Sequence, residues 1–200
     1  KASNGVDWPI CLYAAGEATL LLMDDKEEGV RLLERAATSN FCFALNDLGY
    51  ALLMLERSPS VAYGLFQRAL DQKLAIAARN LAQMYQTGIY VNEDMTEAVR
   101  LLRTTVDVGE PAAQITLATL YLKHPACERK YEEARALLEA ASLQNYASAF
   151  GWLSVVYEEG LGVPVNLEKA LYYCRRAVQL DGDYAKDTER HLLQLLKQHS

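Results

Sequence analysis

Ala62, Ala98, Ala134 and Ala170 stand 36 residues apart, and Gly29 takes the equivalent place 33 residues before the first. A self-similar period of this length belongs to stacked helical repeats, in which each copy leaves an apolar side for the next to cover. Each anchor is followed three residues later by a large residue and seven later by a small one: Gly29/Leu32/Ala36, Ala62/Leu65/Ala69, Ala98/Leu101/Thr105, Ala134/Leu137/Ala141 and Ala170/Tyr173/Ala177. Steps of three, four and seven share one helical face, so each triple marks the buried stripe of an amphipathic helix, here termed B.

Eight residues past each triple another alanine follows, at Ala44, Ala77, Ala113, Ala149 and Ala185. These open a second helix, A, whose stripe continues as Leu48/Leu52, Leu81/Tyr85, Leu117/Tyr121 and Leu153/Tyr157. Small residues at fixed places on both helices let neighbouring backbones approach closely. The punctuation agrees. Asp25 before Glu28 and Asp94 before Glu97 have capping-box spacing at B-helix starts, and Ser58-Pro59 offers an N-cap followed by proline in the first turn. Gly88 and Gly160 stand three residues after a tyrosine, where a left-handed glycine ends a helix.

In the last copy, Leu153, Tyr157, Gly160-Leu161-Gly162-Val163, Lys169-Ala170, Tyr173 and Ala177 resemble the Sel-one-like repeat, a relative of the tetratricopeptide repeat. The copy from Ala77 to Gly109 keeps Leu81-Ala82, Tyr85, Gly88 and Glu97-Ala98 but carries Tyr90 where the second loop glycine would be. The loop Lys123 to Lys130 has no glycine, and the Ala44 copy has a shorter loop. The resemblance runs from about Ala14 to Ala185. It implies an all-α, right-handed α-α superhelix of about five helix pairs, with repeats near 12–40, 41–73, 74–109, 110–145 and 146–181. A final helix over 183–198, with Leu192, Leu193, Leu195 and Leu196 on one side and charge on the other, is expected to cap the array.

With 51% hydrophobic and 23% charged residues, five prolines and no Ser/Gly-rich tract, residues 1–200 are expected to fold as a single solenoid. The longest apolar run, around Leu20-Leu21-Leu22-Met23, is too short for a membrane span. The chain starts at Lys1 without methionine, which reads as a mature form after loss of a leader or as a trimmed chain. The compartment is periplasmic or cytoplasmic, with export favoured by the resemblance. A net charge of −6 argues against a nucleic-acid partner, which needs a basic stripe to neutralise phosphates. The acidic clusters at Asp24-Asp25-Lys26-Glu27-Glu28 and Glu132-Glu133 fall at B-helix starts, where they favour the helix dipole.

Cys11, Cys42, Cys127 and Cys174 have no disulfide-framework spacing, and read as buried or free thiols. Cys11 to Cys42 is the one bridge worth testing. His124 and Cys127 supply only two ligand types, too few for a structural zinc site, so no metal and no cofactor are expected. His124, His191 and His199 lie near no strained nucleophile turn, and Gly160-Leu161-Gly162-Val163 lacks the lysine and hydroxyl of a phosphate loop. No catalytic residue is assigned, and the chain is expected not to be an enzyme. The pair Glu158-Glu159 ends a helix, where negative charge opposes the dipole; it reads as solvated charge or as a binding residue.

In arrays of this kind the A helices line the concave side. Residues two, six and nine places past each opening alanine then face it: Asn46, Tyr50 and Leu53; Arg79, Gln83 and Gln86; Ile115, Thr119 and Leu122; Gly151, Val155 and Glu158; Asp187, His191 and Gln194. Apolar contact mixed with hydrogen-bonding groups suits a protein-binding groove, while the aliphatic members could equally pack on neighbouring A helices. Phe150 and Trp152 flank the stripe, as anchors or as core. The reading is a non-enzymatic interaction module, an adaptor, regulator or inhibitor, that binds a protein through Tyr50, Arg79, Gln83, Gln86, Ile115, Thr119, Val155 and Glu158. The resemblance extends to bacterial immunity proteins that mask a secreted toxin. The alternatives are an exported cell-wall-associated protein that binds or hydrolyses a glycan or peptide, and a structural piece of a larger scaffold.

Overall fold

The computed structural model describes residues 8–22, 25–181 and 186–198. Eleven helices and no strand occur among them. The contacts divide the chain into two compact units, 1–104 and 105–200. The first holds α1 (Pro9–Leu22), α2 (Lys26–Ala37), α3 (Cys42–Met54), α4 (Pro59–Asp71), α5 (Ala75–Thr87) and most of α6 (Met95–Val106). The second holds α7 (Pro111–Lys123), α8 (Tyr131–Ser142), α9 (Ala147–Glu159), α10 (Leu167–Leu180) and α11 (Lys186–Gln198). Odd-numbered helices are the A helices, and α2, α4, α6, α8 and α10 the B helices. From α1 to α5 and from α7 to α11 each helix packs on its neighbour in sequence, α1 on α2, α3 on α4, α7 on α8 and α9 on α10 most extensively.

The alanine anchors lie where the periodicity puts them. Ala62, Ala98, Ala134 and Ala170 are fully buried, as are Ala44, Ala77, Ala113 and Ala149; Ala185 lies outside the described residues. The large member is buried in two of the B-helix triples, at Leu65 and Leu101, and less deep than expected in the other three. Leu32, Leu137 and Tyr173 are only half-buried, while one residue further on Leu33, Phe66, Leu102, Leu138 and Cys174 are sealed from solvent. The centre of the buried arc falls between the third and fourth residue past the anchor, as a stripe about 100° wide allows.

Gly29 holds its anchor place because α1 and α2 cross too closely for alanine. A Cβ there would sit 2.5 Å from Leu20 Cγ, and one on Gly16 would sit 3.2 Å from the Gly29 carbonyl.

Two of the three caps read from the sequence, Asp25 and Asp94, form as expected, and Asn166 adds one the sequence reading did not name. Asp25 accepts from the Glu28 N–H at 3.1 Å, Asp94 from Glu97 at 3.0 Å and Asn166 from Lys169 at 2.9 Å, each stabilising by about 1 kcal/mol. Ser58 does not cap with its hydroxyl. It stands in the left-handed region at φ 41, and only its carbonyl serves the first turn, accepting from Val61 and Ala62. Gly88 and Gly160 end α5 and α9 at φ 67 and 70. A left-handed residue also recurs at the first four turns from a B to an A helix: Asn40, Lys73, Gly109 and Asn145.

In the second unit, α11 closes the end. Leu192 is fully buried in a cluster with Ala170, Leu171 and Cys174, to which Leu193 and Leu196 add. Lys186, Asp187, Arg190, Lys197 and Gln198 are exposed, so the helix turns charge outward. The expected start at Asp183, like His199, lies outside the described residues. No described helix is long and apolar enough to cross a membrane.

Candidate functional site: the A-helix faces

In the first unit, α3 and α5 frame a cleft of about 240 Å³ whose lining includes Tyr50, Leu53, Met54, Asn80, Gln83 and Met84. A second hollow of about 340 Å³ between α1 and α3 is lined in part by Glu17, Leu20, Lys26, Asp47, Tyr50 and Met54. Tyr50 and Met54 border both, at 49% and 60% exposure, so one tyrosine ring forms the ridge between two apolar depressions. Gln83 is exposed beside it.

Arg79 and Gln86 lie seven residues apart on α5, hence on one face. Both are half-buried, and Arg79 Nε and Gln86 Nε2 are buried donors with no acceptor. Unsatisfied donors of this kind are rare in folded proteins and costly, by ~1–3 kcal/mol each.

Asn46 is not on the open surface. It is 4% exposed and belongs to a polar ladder: Asn80 Nδ2 donates to Asn46 Oδ1 at 2.9 Å, and Asn46 Nδ2 donates to Asp47 Oδ1 at 2.8 Å. Burial, with hydrogen bonds to Glu17 and Asp47, pushes the Tyr13 phenol far above its ordinary value. The ladder thus ties α1, α3 and α5 side by side. Tyr13, Asp47 and Asn80 were missed by counting from the opening alanines, although the asparagines at 46 and 80 in consecutive copies were a visible signal.

In the second unit Thr119 and Val155 are half-buried on α7 and α9, with the Thr119 hydroxyl donating to the Thr116 carbonyl at 2.7 Å. Ile115 and Leu122 are 8% and 2% exposed. They belong to the interior, the alternative open for aliphatic residues, and offer a partner almost no surface. Gln114 Oε1 is a buried acceptor without a donor. Gly151 and Trp152 are half-buried and Phe150 is buried, its ring under the Arg176 guanidinium at 5.6 Å. Glu158, its side chain 20% exposed, faces His191 Nε2 at 3.5 Å, and Glu159 pairs with Lys123 at 2.7 Å. Both carboxylates at this helix end therefore have a basic neighbour. Asp187 and Gln194 are exposed on α11.

The chemistry-bearing residues do not converge. No disulfide joins the four cysteines; Cys11 is exposed and Cys42 half-buried. Burial pushes the Cys174 thiol up to about 11, helped by Glu189 and Glu158, and also raises Cys127, which keeps both in the weakly nucleophilic thiol form. His124 Nδ1 accepts from the Ala126 N–H at 3.3 Å, turned into its own loop. No group of three or more metal-ligating side chains occurs among the described residues. The acidic cluster before α2 engages a neighbour, since Arg57 grips Glu27 with both guanidinium nitrogens and holds its carboxyl below the usual range.

Paired helices in tandem, with polar and apolar groups mixed along the A helices, define a helical-repeat interaction scaffold. The Sel1 repeat family matches at residues 12–41, 42–74, 75–105, 111–146 and 147–182, and the chain belongs to it. Sel1 repeats mediate protein–protein interaction. The Sel1-repeat-containing protein YjcO of Escherichia coli is 31% identical over 115 residues, covering 56% of this chain and 50% of that protein. The chain thus spans about half the length of the curated relatives it matches. A Sel1 repeat protein from Oxalobacter formigenes superposes with a TM-score of 0.75 at 18% identity, covering 100% of this chain and 91% of that one. The immunity protein Pa5087 of Pseudomonas aeruginosa superposes at 0.62 with 23% identity, over 86% and 66%. These likenesses establish the all-α repeat superhelix as the fold class.

Proposed function

We propose that this chain is a non-enzymatic binding module whose repeats act as one array and hold a protein partner on the A-helix side. The observation that carries this reading is the apolar cleft between α3 and α5, lined by the exposed Tyr50 and Met54 with the exposed Gln83 amide at its wall. A partner's apolar side chains fill the depressions, and its backbone groups hydrogen-bond the Gln83 amide. Tyr50 supplies a rigid amphipathic anchor and Gln83 an exposed hydrogen-bonding group; in the second unit Thr119, Val155 and Glu158 are the corresponding candidate contacts. Ile115, being buried, supports the frame. The specific form we favour is an inhibitor that masks a secreted toxin, in keeping with the similar solved structures described as immunity proteins.

The test is capture of partners by the intact chain from its own organism's lysate and envelope fraction, beside a Tyr50→Ala/Gln83→Ala variant. A single stoichiometric protein that binds the native chain and is weakened about a hundredfold or more by the variant, at unchanged melting temperature, is the expected outcome. A partner held equally by both chains would remove the binding role from the α3–α5 cleft. A toxin is recognised by restored growth when the chain is co-expressed with it.

A further inference from the structure

Tyr50 stands between two apolar depressions whose charges have one sign in excess. The cleft between α3 and α5 is lined by Leu53, Met54, the buried Met84 and Ile89, and Glu56 is the only charged residue among its described lining. The hollow between α1 and α3 is lined by Leu20, Ala51 and Met54, together with the carboxylates of Glu17 and Asp47 and the ammonium of Lys26. Across both depressions Glu17, Asp47 and Glu56 stand against Lys26, and Arg79 of α5 lines neither. Neutral neighbours hold the pair in the hollow. Glu17 and Asp47 both reach the Tyr13 hydroxyl, which has one proton for the two of them, and Asp47 also accepts from the Asn46 amide at 2.8 Å. Such bonds orient the carboxylates without cancelling their charge. A ligand that carries cations beside its apolar groups answers both the apolar surface and the excess charge.

The spacing of the depressions selects the backbone that can fill both. They lie on opposite sides of α3, and the axes of packed helices stand about 8–10 Å apart, so two side chains dropped into them leave a backbone separated by about that distance. On a helix, residues seven apart share a face and stand ~10.5 Å apart, whereas those three or four apart stand only ~5–6 Å apart. On an extended strand the separations along one face are ~7 Å and ~13 Å. The helical step of seven is the match. Met54 and Met84, unbranched and polarisable, let the walls of the cleft adapt to aliphatic or aromatic side chains.

We infer that the cleft and the hollow together seat one basic amphipathic helix of a protein partner, with two large apolar residues seven apart on either side of Tyr50 and lysine or arginine side chains directed at Glu17, Asp47 and Glu56. This rests on the reading of the A-helix side as the binding face and adds the chemistry of what binds there.

The test is selection of a displayed library of random peptides of about 16 residues, long enough for four helical turns, on the intact chain. The expected peptides are net positive, carry large apolar residues seven apart, and gain helical circular dichroism on binding. Their affinity falls about tenfold or more with Tyr50→Ala, at unchanged melting temperature of the chain. Glu17→Gln and Glu56→Gln each weaken them by about two- to fivefold, and added salt reduces that difference. Peptides that need Tyr50 but are neutral or acidic, or that bind extended with another apolar spacing, overturn the inference and leave the cleft as the binding face. Peptides indifferent to Tyr50→Ala, or no enrichment at all, also overturn it, and the capture experiment with Tyr50→Ala/Gln83→Ala then decides separately whether the cleft holds a protein of another shape.

Discussion

The loop after α5 and the loop after α9 follow the same path with different residues. Gly88 and Gly160 end their helices at φ 67 and 70, and two residues later Tyr90 and Gly162 both turn left-handed, at φ 68 and 72. Ile89 donates to Met84 as Leu161 donates to Val156, Asp94 donates to Tyr85 as Asn166 donates to Tyr157, and each loop ends on a side chain capping the next helix. The loop with the full glycine pattern and the loop that breaks it thus share one geometry. What differs is its cost, because the left-handed region opposes a side chain by ~1–2 kcal/mol and leaves glycine unopposed. Tyr90 recovers part of that through its ring, 5.5 Å from Tyr63, which also reaches Tyr85 by a 3.0 Å hydrogen bond. Backbone geometry here belongs to the repeat, and side chains are tolerated within it.

The comparison breaks most sharply at Gly162. Besides the dihedral cost, a Cβ there would run into Tyr131 Cβ at the start of α8. Gly162→Val should destabilise by about 3 kcal/mol, read from the urea midpoint at constant slope. A loss under about 1 kcal/mol would mean that this loop rearranges freely and does not share the geometry of the other. Tyr90→Gly should have the opposite sign and smaller size, a gain of about 0.5–1 kcal/mol after the ring contact with Tyr63 is deducted. A loss would show that the aromatic contact outweighs the dihedral cost.

The smallest effect concerns titration. The hydrogen bond shared with Tyr63, then burial, then the nearby charges of Glu97 and Asp94 push the Tyr85 phenol up to about 12. The folded state therefore binds its proton more tightly than the unfolded state. The corresponding stability is fully present below the ordinary phenol value and is lost as pH rises through about 12. Tyr63→Phe should move Tyr85 ionisation back toward its ordinary value in an ultraviolet titration, with little change in stability at neutral pH. An unchanged titration curve would assign the shift to burial and the neighbouring carboxylates.

Sequence periodicity located the helices and the buried alanines because small residues recur only where backbones must approach, and that requirement is local and periodic. It misplaced the deepest B-helix residue by one, since adjacent residues of a stripe are separated only by how the neighbouring helix leans on them. The A-helix face was legible in part. Tyr50 and Gln83 are exposed, and Arg79 and Gln86 hold unpaired donors, but Asn46, Ile115 and Leu122 are buried. Counting from one alanine fixes the angle around a helix and says nothing of how near the next A helix comes. Asn46 is covered because Asn80 reaches it, a contact between residues 34 apart that no local pattern encodes.

The left-handed corners at Asn40, Lys73, Gly109 and Asn145 carry a consequence for how such chains change over generations. Each corner leaves a B helix and enters an A helix in the same conformation, so a segment removed or duplicated from one corner to the next joins like to like. Gene duplication can then lengthen or shorten the chain by whole periods without designing a new junction, and the number of repeats becomes a quantity that selection adjusts separately from what the surfaces of each repeat recognise.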